Sequence, residues 1–383
     1  MAKILLNLAW LWLSLLALPS LGAPADGPHQ VPLLGDGDMI LVPVQVFNKT
    51  LYFIADTGFT ISAIDSQYEP WLGDPIDAYS AVSPLGTKKT VPVYIAPDIS
   101  IAGQPANLKT ILRLDLGMLR RITGEPCDGI LGLDWFAQNV VSINFDDNTF
   151  TLEEETPPKV RNTFAAVPVE ETNGCFVLDA WINKEIMLPL MIDTGDSGSL
   201  SLDPGTWQAV FAANGARTIT ATVADAVNQV AQTEVGVVGA FAVQGLNYTN
   251  LHAMFIRNPT QPARLGLGFF RRHNVTFDLA GGTLYLQPNH HYATPDEEDM
   301  SGLHLLRYDG KTVVYSVDAH SPAAAQGIVA EDVIETVNDQ PALVLTMSAL
   351  RQILRSGDGN PVALRLQHGD TSRDITIVLK KSI

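Results

Sequence analysis

The chain is written in apolar runs of roughly four to eight residues, rich in Val, Ile and Phe and broken by Gly, Pro, Asn or Asp, which predicts strands and turns. Two of these runs resemble each other. Val46-Phe47-Asn48-Lys49-Thr50-Leu51 leads into Ile54-Ala55-Asp56-Thr57-Gly58, and Trp181-Ile182-Asn183-Lys184-Glu185-Ile186 leads into Met191-Ile192-Asp193-Thr194-Gly195. Each reads as a hairpin turned at Asn-Lys, followed by a buried strand that delivers an Asp-Thr-Gly into a turn. Further on, Ile130-Leu131-Gly132-Leu133-Asp134-Trp135-Phe136 matches Arg264-Leu265-Gly266-Leu267-Gly268-Phe269-Phe270. Val141–Phe145 then falls on Val275–Leu279, and Thr149–Leu152 on Thr283–Leu286, with turns at Asp147-Asn148 and Gly281-Gly282 where positive φ is needed. Gly132 lies 76 residues after Asp56 and Gly266 lies 73 after Asp193, the spacing of a duplicated β unit. Helix signals are few: Leu114–Arg121, and Pro204–Ala213 with Asp203 as N-cap. Glu153–Thr163, with Pro157-Pro158, reads as the link between halves.

The pattern changes at Pro288–Ser301, where His290-His291 and Asp296-Glu297-Glu298-Asp299 read as an exposed acidic linker. The two histidines have no further ligands at a metal-site spacing, so no metal is expected. The last 80 or so residues repeat neither half. They predict a strand at Val313–Val317, a short helix capped by Ser321 with Pro322 in its first turn, and a strand at Asp332–Val337 turned at Asn338-Asp339. A helix near Ser348–Arg355 and a hairpin from Val362 to Leu379 follow.

Composition adds compartment and partners. Lys3, the apolar run Ile4–Leu18 and the small residues up to Ala25 read as a secretory leader, and the run is short for a membrane span, so an uncleaved anchor is the lesser alternative. The expected location is the periplasm or the exterior. Removing Lys3 with the leader takes the formal charge from −17 to −18, which argues against nucleic acid as a partner. Cys127 and Cys175 are too few for a disulfide framework, and the sequence leaves their pairing open.

Two Asp-Thr-Gly turns in one repeat suit a carboxylate pair. Two carboxyls about 3 Å apart cannot both ionise, so one is charged and takes a proton from water while the other protonates a carbonyl oxygen. Asp56 and Asp193 are the candidate catalytic residues. Gly58 and Gly195 permit the tight turns, and Thr57 and Thr194 can bond across the halves. No cofactor is required.

On Asp56-Thr57-Gly58 with Ile130-Leu131-Gly132, and Asp193-Thr194-Gly195 with Arg264-Leu265-Gly266, the chain resembles a tandem, single-chain aspartic protease of the retropepsin-like (retroviral-type) superfamily over roughly residues 38–287. The resemblance implies a mostly β fold with two homologous barrel-like lobes of about six strands facing one cleft, Gly132 and Gly266 in strands backing the catalytic loops, and a flap hairpin. In half one the flap falls near Ser83–Val91 with its tip at Leu85-Gly86-Thr87; its counterpart near Ala221–Glu234 has no distinguishing feature. Arg264 breaks the apolar pattern of the backing strand and predicts a less regular strand there. Phe59 and Asp196 stand where the family has small residues; Phe59 is expected to pack, and the charge of Asp196 to raise the pair's pKa values and move the pH optimum upward.

Gly195-Asp196-Ser197-Gly198-Ser199 imitates the nucleophile loop of trypsin-like proteases, but His29 is the one histidine before Ser197, and that chemistry needs His and then Asp upstream. The C-terminal segment resembles a PDZ domain through Ser321-Pro322-Ala323, Gly327-Ile328, Asp332-Val333-Ile334 and Val337-Asn338, with Glu331 where such domains carry Gly. Gly302-Leu303-His304-Leu305 is the candidate carboxylate-binding loop. The expected organisation is a leader (1–25), lobe one (26–157), lobe two (158–289), the acidic linker (290–301) and the PDZ domain (302–383). The expected function is an exported endopeptidase, active as a monomer on protein or peptide substrates, whose PDZ groove takes C-terminal peptides. The alternative is a peptide-binding protein without catalysis.

Overall fold

A computed structural model describes residues 29–34, 39–82, 86–212, 218–224 and 230–382. The leader and flap residue Leu85 lie outside the described residues, as does the end of the helix expected to reach Ala213.

The strands that deliver the two aspartates are Lys49–Ala55 and Ile186–Asp193. The second alternates in burial over its first half and is buried on both faces over its last four residues, because there it runs parallel to Arg264–Gly266 inside the lobe. Lys49–Ala55 runs parallel to Gly129–Leu131 in the same way, pairing Phe53 with Gly129 and Ala55 with Leu131. The hairpins before them differ slightly from expectation. Half one turns at Phe47-Asn48, both at positive φ, so that Val46 pairs with Lys49; half two turns at Asn183-Lys184 with Glu185 added before Ile186.

Each half builds one large sheet, and the two sheets have the same strand order. Half one runs 77–82, 88–95, 110–114, 63–65, 129–131, 49–55, 41–46, 99–101, 104–105. Half two runs 218–224, 230–238, 251–255, 200–202, 264–266, 186–193, 175–182, 241–243, 246–248, with 170–172 attached at its side. The sheets are therefore larger than the six-strand barrels the resemblance implied. The strand carrying Arg264 is regular, paired on one side with Met191–Asp193 and on the other with Leu200 and Ser201, which corrects the expectation of irregularity. A side chain on a strand leaves the backbone ladder intact, whatever its charge.

A third sheet joins the halves, in the order 29–32, 149–153, 140–144, 273–278, 283–288, 165–168. At its centre Val141 pairs with Phe277, Ser142 with Thr276 and Ile143 with Val275, so the repeat meets itself about Ser142 and Thr276, whose hydroxyls lie 2.9 Å apart. Beneath the sheet, Trp135, Phe136, Phe150, Phe270 and Phe277 are fully buried and close a single core. Phe136 meets Phe277 edge-on and Phe270 packs on Phe277 at 5.8 Å, which ties the lobes through equivalent positions.

The C-terminal unit has its own core and its own sheet, ordered 303–308, 311–317, 333–337, 361–368, 371–378, with the helix Met347–Leu354 packed on it. Ser321 caps Pro322–Ala325 as expected. Glu331 has φ +73, which explains why glycine suits that position. The acidic linker is not simply solvated: Asp296 accepts from Ser199 Oγ, the Arg272 guanidinium and His252 N, and pins the segment to lobe two. His290 bonds Asp146 on lobe one.

Candidate active site

Both Asp-Thr-Gly turns come to one place at the junction of the lobes. Asp56 N donates to Leu131 O at 3.0 Å, and Gly266 N donates to Ser199 O at 3.0 Å, so each backing strand is bonded to the segment around an Asp-Thr-Gly turn. The backing glycines are there for lack of room. A Cβ on Gly132 would stand 2.6 Å from Phe59 O, and one on Gly266 would stand 2.2 Å from Gly198 O.

The threonines lock the turns reciprocally. Thr57 N donates to Thr194 Oγ1 at 3.0 Å and Thr194 N to Thr57 Oγ1 at 3.1 Å. Each hydroxyl then donates across the interface, Thr57 to Ile192 O at 2.9 Å and Thr194 to Ala55 O at 2.7 Å. Both threonines are buried, so these bonds are exchanged with no competing water. The glycines cross as well: a Cβ on Gly58 would lie 2.2 Å from Asp193 Oδ1, and one on Gly195 would lie 2.3 Å from Asp56 Cγ. Each carboxyl thus sits over the other half's glycine.

Asp56 Oδ1 accepts from Gly58 N at 2.9 Å; Asp193 Oδ1 accepts from Gly195 N and Asp196 N, both at 3.1 Å. Asp193 is 5% exposed, while Asp56 keeps part of its surface open. Burial, and then the charge of Asp193, push Asp56 up to about 8. Burial raises Asp193 too, against the Arg264 guanidinium. Arg264 is the residue that sequence reasoning misjudged. It is 4% exposed, and its Nη1 donates to Asp193 Oδ2 at 2.9 Å. The signal that could have found it was a lone charge inside an apolar backing strand, next to a motif with a buried acid.

The residues after the turns behave differently from each other. Phe59 packs against the cluster that includes Val91 and Val93 of the flap strand, as expected. Asp196 accepts from Gly198 N and Ser201 Oγ, and its charge raises Asp193 while Arg264 opposes it. Ser197 is exposed, and His29 lies in the joining sheet bonded to Gln104, so the serine-nucleophile constellation is not assembled. Cys127 is buried and Cys175 half-buried; they are not paired with each other.

The hairpin at the expected flap position in half one is Asp77–Val82 with Lys88–Ile95, and Gly86 and Thr87 of the sequence-predicted tip lie between its strands. Gly86 has φ +88 and approaches the Asn258 side chain, on the loop of lobe two that also carries Gln261. A second hairpin, Thr218–Ala224 with Val230–Val238, occupies the equivalent place in half two.

In the C-terminal unit, Leu303–Tyr308 is an edge strand with Met347–Leu354 beside it, the arrangement in which an added peptide strand is received. Within the candidate loop, the amides of Gly302 and Leu303 already serve Asp299 Oδ1 and Ser301 Oγ, and the side chains of Leu303 and Leu305 belong to the core. His304 Nε2 meets Asp318 at 2.8 Å. The helix Gly117–Thr123 of lobe one leans on this edge: Arg121 lies 4.7 Å over the Tyr308 ring, Arg351 donates to Ile122 O, and Gly124 abuts Met347.

The described residues form a mostly β fold of two lobes with the same strand order, followed by a PDZ domain at the C-terminal end. Residues 313–368 match the family model of the PDZ domain. The chain is similar to the solved structure of basic 7S globulin from soybean, at 11% identity and a TM-score of 0.43 over 70% of this chain and 96% of that one. It is also similar to a retropepsin-like aspartic protease from Rickettsia conorii, at 17% identity and a TM-score of 0.25 over 32% of this chain and 87% of that one. A search of the curated proteins finds no match. Likenesses this shallow carry no function, which has to be argued from the site.

Proposed function

We propose that the chain is an exported aspartic endopeptidase, active as a monomer because both lobes lie in one chain, and that its PDZ domain takes the C-termini of substrates or partners. The observation that carries the reading is the crossed pair of turns: two buried threonines exchange backbone and hydroxyl bonds, and two carboxyls share one site in which Asp56 is held protonated at neutral pH. The chemistry balances. The ionised carboxylate takes a proton from water as the water oxygen bonds to the peptide carbon, and the protonated carboxyl gives its proton to the carbonyl oxygen. In the resulting diol, the newly protonated carboxyl gives its proton to the amide nitrogen as the C–N bond breaks. A diol hydroxyl returns a proton to the other aspartate. The products are an acid and an amine, and the pair is restored.

A second reading, peptide binding without hydrolysis, draws on the buried Arg264–Asp193 ion pair, which neutralises one of the two acids. Cleavage of casein or a peptide library between about pH 3 and about pH 8 separates the two. The wild-type chain is expected to cleave, and Asp56→Asn and Asp193→Asn each to lose at least about a thousandfold in kcat/KM. Equal activity in all three chains would end the endopeptidase reading, and binding with no cleavage in any of them would establish the second.

A further inference from the structure

The repeat lets each residue be compared with its own counterpart. Ile130, the partner position of Arg264, is buried in an apolar cluster with Leu41 and Ile54. Packing at this place is therefore satisfied by an aliphatic side chain, and a buried guanidinium there carries a desolvation cost that packing does not require. The cation is met by Asp193 Oδ2 at 2.9 Å from Nη1 and by Gln261 Oε1 at 2.9 Å from Nη2; Nε has no partner among the described residues. No equivalent cation stands against Asp56 among its described hydrogen-bond partners, whose turn is otherwise built alike.

We propose that Arg264 is the positioning residue that assigns the two roles in the pair, keeping Asp193 as the carboxylate that receives the proton from water and leaving Asp56 as the acid. An otherwise symmetric dyad could load its proton on either oxygen pair; the ion pair on one side breaks that symmetry before substrate arrives. The groups that act on Asp193 are Asp56 on the other turn, Asp196 on its own loop and Arg264 on the backing strand, while Cys175 feels the charges of Arg264 and Glu171. Asp196 pushes Asp193 up, Arg264 pulls both aspartates down, and burial holds the Cys175 thiol up. Gln261 lies on the loop that meets flap residue Gly86, so the anchor of Arg264 also borders the flap.

This role rests on the endopeptidase reading, and two measurements keep their failures apart. The first is the pH dependence of kcat/KM for the full chain and for Arg264→Leu, Arg264→Lys and Gln261→Ala. The acid limb, which reports ionisation of the base, is expected to move up by about one to three pH units in Arg264→Leu. Arg264→Lys should return the limb most of the way to the wild-type position, and Gln261→Ala should give a smaller upward shift. The second is a carboxyl carbon NMR titration of Asp56 and Asp193, which needs no activity; Asp193 is expected to ionise first in the wild-type chain. A folded Arg264→Leu variant with the wild-type acid limb overturns the proposal, as does a titration in which Asp56 ionises first. If Arg264→Leu does not fold, Gln261→Ala and the wild-type titration decide. A wild-type chain without peptidase activity ends the endopeptidase reading, and the titration still decides the role of Arg264.

Discussion

Asp56 and Asp193 are the same residue in the same motif and burial raises both, but Asp193 alone accepts a hydrogen bond from the Arg264 guanidinium. Asp56 is raised to about 8 in the folded chain from an ordinary 3.8. Between those values the folded state holds a proton that the unfolded state has released, so stability falls as pH rises through the window. Asp56→Asn removes that cost and keeps the acceptor for Gly58 N. It is expected to raise the melting temperature at neutral pH by at least about 2–4 °C, the effect of about 1 kcal/mol, with the gain fading as the pH falls toward 3.8. Asp193→Asn leaves the Arg264 guanidinium buried without its counter-ion and is expected to cost about 3–5 kcal/mol. Thermal unfolding of both variants across pH checks this; a loss of stability in Asp56→Asn at neutral pH would contradict it.

At the scale of elements, the backing strands set the accuracy of the site. The repeat made Gly132 and Gly266 legible as equivalent positions, but only the fold shows what each one faces, the backbone that follows an Asp-Thr-Gly turn. Gly266→Ala puts a methyl 2.2 Å from Gly198 O, where backbone cannot swing aside as a flexible side chain would. The expected result is a loss of about 1–3 kcal/mol in stability, with activity falling further than stability because Asp196 and Gly198 must shift. Denaturant unfolding and kcat/KM on the same preparation test it, and a variant with unchanged kcat/KM would show that the loop tolerates the displacement. The hairpin that carries Gly86 in half one was legible from that glycine and its flanking strands. That of half two was not, since Thr218–Ala224 and Val230–Val238 carry no glycine signal at the turn that sequence alone would single out.

Across the whole molecule, the repeat diverges between the third strand of each sheet and the backing strand. Half one spends that segment on the helix Gly117–Thr123, which is held to Asp65 through Arg120 and Leu116 N and docks on the PDZ edge. Half two spends it on the loop of Asn258 and Gln261, which holds Arg264. A peptide added along Leu303–Tyr308 competes with the docked helix, so its apparent affinity is reduced by the fraction of molecules in which the edge is covered. Arg121 is exposed, and Arg121→Glu removes its contact with Tyr308. About 0.5–1 kcal/mol of docking is lost, and affinity for a peptide with a free C-terminus is expected to rise about two- to fivefold by titration calorimetry. Unchanged affinity would mean that the helix leaves the edge free.

The amino-acid pattern alone determined the duplication, the two Asp-Thr-Gly turns, the threonine lock and the PDZ elements, because strand periodicity, turn chemistry and repeated spacing are local and leave their mark in order along the chain. Tertiary structure alone decided the partner of Arg264, the anchoring of the acidic segment through Asp296 and the covering of the PDZ edge. Each of these joins residues far apart in sequence, and for Arg264 and Asp296 burial is what turns their charges from solvated surface into fixed partners. Position 264 reads in sequence as a flaw in a backing strand; in the folded chain its charge lies against one of the two acids.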